Sequence, residues 1–297
     1  MMSSSTHALD VIRALRGRLA AAGIESAARE AELLVQHVLS LSRAEVFGEN
    51  PALREGQIDL LEDLIDRRAA GEPLQYLMGR QSFRSLELEV GPGVLVPRPE
   101  TEILVERALG LLRGLEKPLV ADIGCGSGAI ALSIAMEHPG ARVYATEVSP
   151  EAMRWAERNL GSNLEADVFL GLGDMFDPIP PELKGKFDLV VSNPPYLSEQ
   201  EIAEAPADVR DHEPAIATVA GPTGLEVSAR LASAALDWLR PGGNLLLETH
   251  PGQAARLETL LSSLYADVTT SPDLSGHLRV IGGAKPPYPP PDLGPPR

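Results

Sequence analysis

Apolar residues near the N-terminus recur every three or four positions, which is the spacing of amphipathic helices. Three such stripes are visible, and they comprise Ile12, Leu15 and Leu19, then Leu34, Val38 and Leu41, then Ile58, Leu61 and Ile65. The sequence Ala-Ala-Gly-Glu-Pro at 69–73 ends the pattern with two helix breakers. We therefore predict a small helical domain over residues 1–76, whose charged faces either remain solvated or bind a partner.

Residues 77–98 change to the alternation that is typical of strands. Leu86, Leu88 and Val90 alternate with glutamates, and a Gly-Pro-Gly tripeptide at 91–93 separates them from a second apolar run. Such a tripeptide favours a turn. We predict a hairpin that turns at this tripeptide and links two domains.

Residues 99–283 alternate short apolar runs with amphipathic stretches. Predicted strands lie at about 118–123, 142–147, 167–171, 187–192, 244–248, 266–270 and 278–282. Predicted helices lie at about 100–113, 128–137, 150–160, 224–239 and 251–264. This rhythm predicts an α/β fold with a doubly wound, mostly parallel, seven-stranded Rossmann-like sheet that binds its ligand at the carboxyl ends of the strands. The last two strands are too close in sequence for a crossover helix, so they predict an antiparallel strand at one edge.

Composition narrows the class of protein. The chain has 297 residues, 44% apolar and 23% charged, with a net charge of −16 that disfavours stable nucleic-acid binding. One cysteine excludes a disulfide framework or a cysteine metal cluster, and the histidines have no metal-binding spacing. No signal peptide or membrane span is recognisable, so we expect a cytoplasmic protein. Residues 284–297 are half proline and predict a disordered tail.

A glycine-rich stretch stands where the first strand of the predicted sheet turns into a helix. It comprises Gly124, Cys125, Gly126, Ser127 and Gly128. Glycines permit a tight turn, and the helix N-terminus offers N–H groups to an anion. Glu147, at the end of the next strand, is placed to accept hydrogen bonds from ribose hydroxyls. Both features suit NAD and S-adenosylmethionine alike, and they do not decide between them.

Three further residues bear on the choice of cofactor. Asp122 would be unfavourable beside a pyrophosphate but favourable beside the ammonium group of a methionine moiety. Two residues follow the third strand. Asp174 is suited to accept a hydrogen bond from an adenine amino group, and Met175 is suited to pack on the adenine ring. A helix-capping aspartate with a core neighbour is the alternative interpretation of this pair.

The fourth predicted strand ends in an unusual sequence, Asn193-Pro194-Pro195-Tyr196. A proline terminates a strand, and this could be its whole purpose. The same rim of the sheet carries the glycine loop, however. A planar NH2 group is a poor nucleophile, and the Asn193 side chain with the Pro194 carbonyl could hold both of its hydrogens while Tyr196 packs on the flat group. We therefore predict a substrate clamp for methyl transfer.

Together with this motif and the glycine loop, several stretches resemble the peptide chain release factor N5-glutamine methyltransferase family. They are RRAAGEPLQYLMGRQSF at 67–83, VLVPRPETE at 94–102, HEPAIA at 212–217, GLE at 224–226, GGNLLLE at 242–248 and DLSGHLRV at 273–280. The resemblance covers nearly everything from residue 30 to 283. It implies a class I methyltransferase domain over 99–283 that uses S-adenosylmethionine.

The resemblance also implies the substrate and the roles of residues. The substrate would be the glutamine of the Gly-Gly-Gln loop in bacterial class 1 release factors, recognised in part by the N-terminal domain. The glycine loop, Glu147, Met175 and Asn193 would border the cofactor, and Asn193 to Tyr196 would hold the glutamine. Thr101 would reach the methionine end of the cofactor. Arg98 and Glu100 would form a structural ion pair near the site.

The chain departs from the family pattern at four positions. Cys125 stands where relatives often have threonine, Met175 where some have tryptophan, Glu147 where aspartate is common, and His212 where a tyrosine precedes Glu-Pro. None of them touches the Asn-Pro-Pro-Tyr motif, so they bear on affinity more than on reaction type.

Two other functions stay open at this point. An amino-methyltransferase could act on adenine in nucleic acid, flipped into the same pocket, or on a glutamine of a ribosomal protein. A nicotinamide dehydrogenase or a non-catalytic nucleotide-binding module would use the glycine loop alone, with Asn193 to Tyr196 as a simple strand end.

Overall fold

The computed structural model describes residues 6–287, which form two compact units. The first unit comprises the chain through Gly79 together with Pro206–His212, and the second comprises Arg80–Ala205 and the chain from Glu213 onward. Within residues 6–287, every helix is too short or too polar to cross a membrane. Most of the predicted proline-rich tail, residues 288–297, lies outside the described residues.

The first unit begins with five helices. They are α1 (Ala8–Ala21), α2 (Ala27–Leu39), α3 (Arg43–Glu49), α4 (Glu55–Ala69) and α5 (Leu74–Met78). Leu15, Leu34, Leu61 and Ile65 are buried in one shared core, which confirms the predicted helical bundle. The helices α3 and α5 were not predicted because each is too short to show a full apolar stripe.

The hairpin of the second unit turns earlier than predicted. Its strands are β1 (Arg80–Phe83) and β2 (Leu86–Glu89), paired antiparallel. The prediction that the hairpin turns at 91–93 was wrong, although a turn does form there, where the N–H of Val94 donates to the carbonyl of Gly91 at 3.4 Å. Arg84 takes up a positive φ of 51° at the real turn, and its N–H donates to Glu102. The second apolar run is buried without forming a strand, because the N–H of Val96 donates to a carboxylate instead of to a neighbouring strand.

The main sheet has seven strands, as predicted. The remaining strands of the chain are β3 (Leu119–Ile123), β4 (Arg142–Glu147), β5 (Val168–Leu172), β6 (Phe187–Ser192), β7 (Leu197–Ser198), β8 (Val219–Gly221), β9 (Leu239–Glu248), β10 (Ala266–Pro272) and β11 (Leu278–Ala284). The main sheet has the order β10-β11-β9-β6-β3-β4-β5, while β7 and β8 form a separate parallel pair. The pairings of β11 with β9 and with β10 are antiparallel, and the other pairings in the main sheet are parallel. The predicted antiparallel edge is therefore confirmed.

Helices cover both faces of this sheet. The remaining α-helices are α6 (Thr101–Leu112), α7 (Ala129–Glu137), α8 (Pro150–Gly161), α9 (Glu199–Glu204), α10 (Ala207–His212), α11 (Ala215–Thr218), α12 (Glu226–Trp238) and α13 (Ala254–Ser262). Val120 packs into a core with α6, α7 and α8, whereas its neighbour Ala121 packs into a core with α12 and α13. Successive residues of a strand point to opposite faces, so the strands are apolar on both sides and the fold is doubly wound.

The segment between β6 and α12 was not predicted in detail. It contains α9, α11 and the short β7–β8 pair, together with α10, which clusters with the first unit. These elements span two to six residues each. Elements of this length carry too few apolar positions to define a period.

Candidate active site

A cavity of about 460 Å³ opens at the carboxyl ends of β3, β4 and β6. This volume falls within the range of roughly 300–1,000 Å³ that small-molecule sites occupy. Most predicted site residues line it, namely Thr101, Gly124, Cys125, Gly126, Ser127, Glu147, Asp174, Met175, Asn193, Pro194 and Pro195. The lining does not include Asp122, Gly128 or Tyr196. The structure thus brings the glycine loop and the Asn-Pro-Pro motif into one space.

The glycine loop is held by hydrogen bonds from its main chain to the neighbouring strand. Gly124, Gly126 and Gly128 have φ angles of +73°, +56° and +84°, which residues with a side chain rarely adopt. The N–H groups of Gly124 and Cys125 both donate to the carbonyl of Thr146, at 2.8 and 2.9 Å. A Cβ at Gly124 would meet no protein atom within 4 Å, so the backbone conformation, not crowding, requires glycine there.

Glu147 fixes the loop from the neighbouring strand. Its buried carboxylate accepts the N–H of Gly126 at Oε2 and the N–H of Ser149 at Oε1, both at 2.9 Å. A carboxylate has about four acceptor positions, so two remain for a ligand. The side chain can therefore hold the loop and accept hydroxyl groups at the same time.

Asp122 lies behind the loop and is fully buried. Its Oδ2 accepts the N–H of Ala131 in the first turn of α7, at 3.0 Å, and its Oδ1 has no partner among the described residues. Burial raises the pKa of Asp122 to about 7, the N–H of Ala131 opposes this rise, and the charge of Glu147 adds to it. A cation bound nearby would lower this pKa, whereas an anion would raise it further.

Cys125 is buried in the wall of the cavity. Burial raises the pKa of its thiol well above the ordinary value, and the charges of Asp122 and Glu147 add to the effect. The thiolate is the reactive form of cysteine, so this side chain is not a nucleophile. It fills space beside the loop.

Asp174 and Met175 form another part of the lining. Met175 has a positive φ of 46°, and its carbonyl accepts the hydroxyl of Thr146 at 2.6 Å. Asp174 pairs with Arg230 at 2.6 Å, with about half of each side chain exposed. Such an exposed ion pair contributes little stability. The Asp174 carboxylate can therefore exchange Arg230 for a ligand at low cost.

Asn193 follows the last residue of β6. The hydroxyl of Ser192 donates to the carbonyl of Ile123 at 2.6 Å, which ties the ends of β6 and β3 together. The Asn193 Nδ2 donates to the hydroxyl oxygen of Thr101 at 3.3 Å. Because this bond uses the amide nitrogen, the carbonyl oxygen of the side chain is the acceptor that Asn193 has left for a ligand.

Tyr196 is positioned through its main chain. Its carbonyl accepts the side-chain amide of Gln253 at 2.6 Å, and its ring centroid lies 6.2 Å from that of His250. A Cβ at Gly224 would come within 2.5 Å of the same carbonyl, so only glycine fits there. Burial raises the pKa of Tyr196 to about 12, with the charge of Glu248 adding to the rise. The phenol therefore stays neutral and is not a general base near neutral pH.

The predicted ion pair between Arg98 and Glu100 was wrong. Arg98 pairs instead with the buried carboxylate of Glu213, which also accepts the N–H of Val96 at 3.1 Å. Glu213 lies 115 positions from Arg98 along the chain. A buried carboxylate must be paired, and this requirement outweighs the nearness of Glu100 in sequence.

Sequence reasoning missed several parts of the cavity wall. Val94, Leu95 and Pro97 line it from the segment before α6, and Ile216 and Ala217 line it from α11. The motifs VLVPRPETE and HEPAIA, at 94–102 and 212–217, contain these residues, but their side chains are ordinary core types. Glu248 and Gln253 were also missed, because nothing near them in sequence reveals their partners.

The family model described as PrmC N-terminal domain matches residues 10–79, and the methyltransferase small domain matches residues 101–208. A release factor glutamine methyltransferase of Moorella thermoacetica is 42% identical over 267 residues, which cover 88% of this chain and 93% of that protein. One of Streptomyces coelicolor is 39% identical over 274 residues, covering 90% and 94%.

Solved structures resemble a large part of this chain in fold. The T. thermophilus 16S rRNA N2 G1207 methyltransferase (RsmC), in complex with AdoMet and guanosine, has a TM-score of 0.53 at 22% identity, covering 69% of this chain and 49% of that chain. The hMettl16 catalytic domain in complex with an RNA hairpin has a TM-score of 0.54 at 19% identity, covering 76% and 82%. At these identities the likeness concerns the fold alone.

Proposed function

This chain belongs to the release factor glutamine methyltransferase family, and we propose that it transfers a methyl group from S-adenosylmethionine to the side-chain amide nitrogen, N5, of the glutamine in the Gly-Gly-Gln loop of a class 1 peptide chain release factor. One observation carries this proposal. Asn193 and the glycine loop line the same cavity from the ends of the adjacent strands β6 and β3. A methyl donor bound at the loop and a substrate amide bound at Asn193 would therefore meet in one cavity.

The cavity residues fit S-adenosylmethionine better than a dinucleotide. The orphaned oxygen of Asp122 puts negative charge behind the loop, which favours a ligand with a positive charge over one with a pyrophosphate. We assign the loop residues, Gly124 to Gly128, to the methionine end and the free acceptor positions of Glu147 to the ribose hydroxyls. Asp174 and Met175 are assigned to the adenine.

S-adenosylmethionine supplies a methyl group on a positively charged sulfur, which becomes the neutral thioether of S-adenosylhomocysteine. The protein supplies position for the weak amide nucleophile. The Asn193 side-chain oxygen accepts one N–H of the glutamine amide, and the Pro194 carbonyl accepts the other. Pro195 stiffens the motif and Tyr196 packs against the flat group. The new N–C bond makes the remaining protons of the nitrogen acidic, so one of them passes to water without a strong base.

The charge of the chain supports a protein substrate. A net charge of −16 repels phosphate backbones, which disfavours stable nucleic-acid binding. The N-terminal helical unit is the part that we assign to recognition of the release factor. A substrate that works in translation is consistent with a cytoplasmic enzyme. Adenine in nucleic acid and a ribosomal-protein glutamine are the competing substrates, and the test below separates them.

The test uses the full chain with labelled S-adenosylmethionine and, in parallel, a purified release factor, ribosomal proteins and nucleic acid. We expect one methyl group on the Gly-Gly-Gln glutamine, located by peptide mass spectrometry. Asn193→Ala should lower kcat by about 10³-fold and change the Kd for S-adenosylhomocysteine by less than about threefold, because the lost contact is to the substrate. Asn163→Ala, which removes an asparagine outside the cavity lining that bonds to the main chain of Asn159, is the control. Label only on nucleic acid or on a ribosomal protein would refute the proposal.

A further inference from the structure

Glu248 is a buried acid that lies next to the proposed clamp without entering the cavity. It ends β9, the strand beside β6, and only 1% of it is exposed. The described lining of the cavity includes Thr101 and Asn193 but not Glu248. Its Oε2 has no hydrogen-bond partner among the described residues. A buried acid with an unpaired oxygen is costly, and such groups cluster at functional sites.

Thr101 lies between this acid and Asn193. Its side chain interacts with the carboxylate of Glu248 and lowers the pKa of that acid, and its hydroxyl oxygen accepts the Asn193 Nδ2 at 3.3 Å. A hydroxyl has a single proton. When Thr101 gives that proton to an ionised Glu248, it can only accept from Asn193. The amide of Asn193 must then turn its nitrogen to Thr101 and its oxygen the other way.

We propose that Glu248 is a positioning residue, which acts through Thr101 to orient the Asn193 side chain so that its oxygen is available to the substrate NH2 group. This inference rests on the proposed function, because it specifies how the clamp is set. It also gives Thr101 a role as the link between the acid and the amide. The alternative orientation would present the NH2 of Asn193 to the NH2 of the substrate, where two donors meet and no bond forms.

The charges that face Glu248 come from several elements. Arg279 lies in β11, Arg98 and Glu100 precede α6, and Tyr196 follows β6. Burial raises the pKa of Glu248 to about 7, while the Thr101 bond and the two arginines lower it and Glu100 raises it. Below this pH the acid carries a proton that it can donate to Thr101. The hydroxyl is then free to donate to the oxygen of Asn193, and both hydrogen bonds can point in the opposite direction.

A substrate-independent experiment follows the side-chain amide of Asn193 by NMR in asparagine-labelled protein. The resonance is identified by its loss in Asn193→Ala. We expect it to shift with pH around a midpoint of about 7 in the unaltered chain and to be insensitive to pH in Glu248→Gln. The matched control is Glu30→Gln, which neutralises another buried glutamate, one that pairs with Arg68 in the first unit. It should leave the midpoint unchanged.

The kinetic experiment is a double-mutant cycle on the release factor reaction. We expect losses in kcat of about 30-fold for Thr101→Val and about 10-fold for Glu248→Gln at pH 8, and no loss for the double variant beyond that of Thr101→Val, because the acid acts only through the hydroxyl. Thr101→Ser, which restores the hydroxyl, should recover activity to within about threefold. The kcat of the unaltered protein should decrease as the pH falls through 7, whereas the kcat of Glu248→Gln should not.

The outcomes separate this inference from the proposed function. Additive losses, about 300-fold in the double variant, or an Asn193 resonance that does not respond to pH, would overturn the role of Glu248. Failure of the unaltered chain to methylate any release factor would overturn the proposed function, while the NMR result would still stand. If Glu248→Gln does not fold, the Asn193 resonance is followed in Asp122→Asn, which removes the other buried acid whose pKa is raised to about 7. Loss of the pH response in that variant would overturn the role of Glu248.

Discussion

The two halves of the cavity are held in different ways. The glycine loop is fixed by main-chain bonds to the neighbouring strand, by the carboxylate of Glu147 and by the side-chain amide of Asn159, which donates to the carbonyl of Ser127. The Asn-Pro-Pro-Tyr half depends on side chains far away in sequence, since Asn193 is bonded to Thr101 at a separation of 92 positions and Tyr196 to Gln253 at 57. The proposed cofactor half is therefore held by the strand and helix that follow it in the chain, whereas the proposed substrate half is held by side chains much farther away in sequence.

Of the variants that compare the two halves, Glu147→Ala in the first half is expected to have the largest effect. The substitution leaves the N–H groups of Gly126 and Ser149 without their acceptor and removes the proposed ribose contact. We expect the affinity for S-adenosylhomocysteine to fall by about 300-fold, measured by calorimetry. Glu157→Ala, an exposed acid on α8, is the control. A loss below about tenfold would mean that the backbone alone holds the loop.

The next effect concerns stability, through Asp122→Asn. Because the pKa of Asp122 is raised to about 7 in the folded protein, its contribution to stability is full below its ordinary pKa and is lost as the pH rises through 7. We expect the variant to gain on the order of 2 kcal/mol of unfolding free energy relative to the unaltered chain between pH 4.5 and 8. Denaturant titrations at the two pH values measure this. The surface variant Asp167→Asn should show no such gain, and an equal gain would contradict the assignment.

The smallest effect is expected from Gln253→Ala in the second half. The Tyr196 carbonyl loses its donor, so the tyrosine is held less firmly against the substrate. We expect kcat/KM for the release factor to fall by about tenfold with little change in the affinity for S-adenosylhomocysteine. Gln36→Ala, whose amide bonds to a helix carbonyl in α2, is the control. A parallel loss of cofactor affinity would show that the two halves are coupled, so they would not be held independently.

Prediction from sequence succeeded where structure is local. The strands at 142–147 and 187–192 were predicted at their observed bounds, because their apolar runs are short and flanked by turns. The glycine loop and the Asn-Pro-Pro-Tyr strand end were likewise recognisable, since both require particular residue types at fixed spacing. Their position in one cavity followed from the rule that parallel strands end at the same rim.

Prediction failed where a distant group decides the outcome. The Gly-Pro-Gly tripeptide is a strong turn signal, yet the hairpin turns before it, and Glu213 binds the N–H of Val96. The same Glu213 carboxylate forms the ion pair with Arg98 that was predicted for its neighbour Glu100. The sequence places Glu248 at the end of a predicted strand, but it does not reveal the partners of Glu248 or Gln253. Only the packing of β9 beside β6, and of the chain that follows β9, brings them to the clamp.

The burial of Cys125 has a consequence for oxidative stress. It is the single cysteine of the chain, and its raised pKa keeps the sulfur protonated. Peroxides and disulfides react with thiolates, so the folded protein offers them an unreactive target. Two folded copies cannot be linked through an exposed sulfhydryl, because the chain has none to offer. The proposed methyl-transfer site therefore contains a buried thiol of low reactivity, within the loop assigned to a reactive sulfonium.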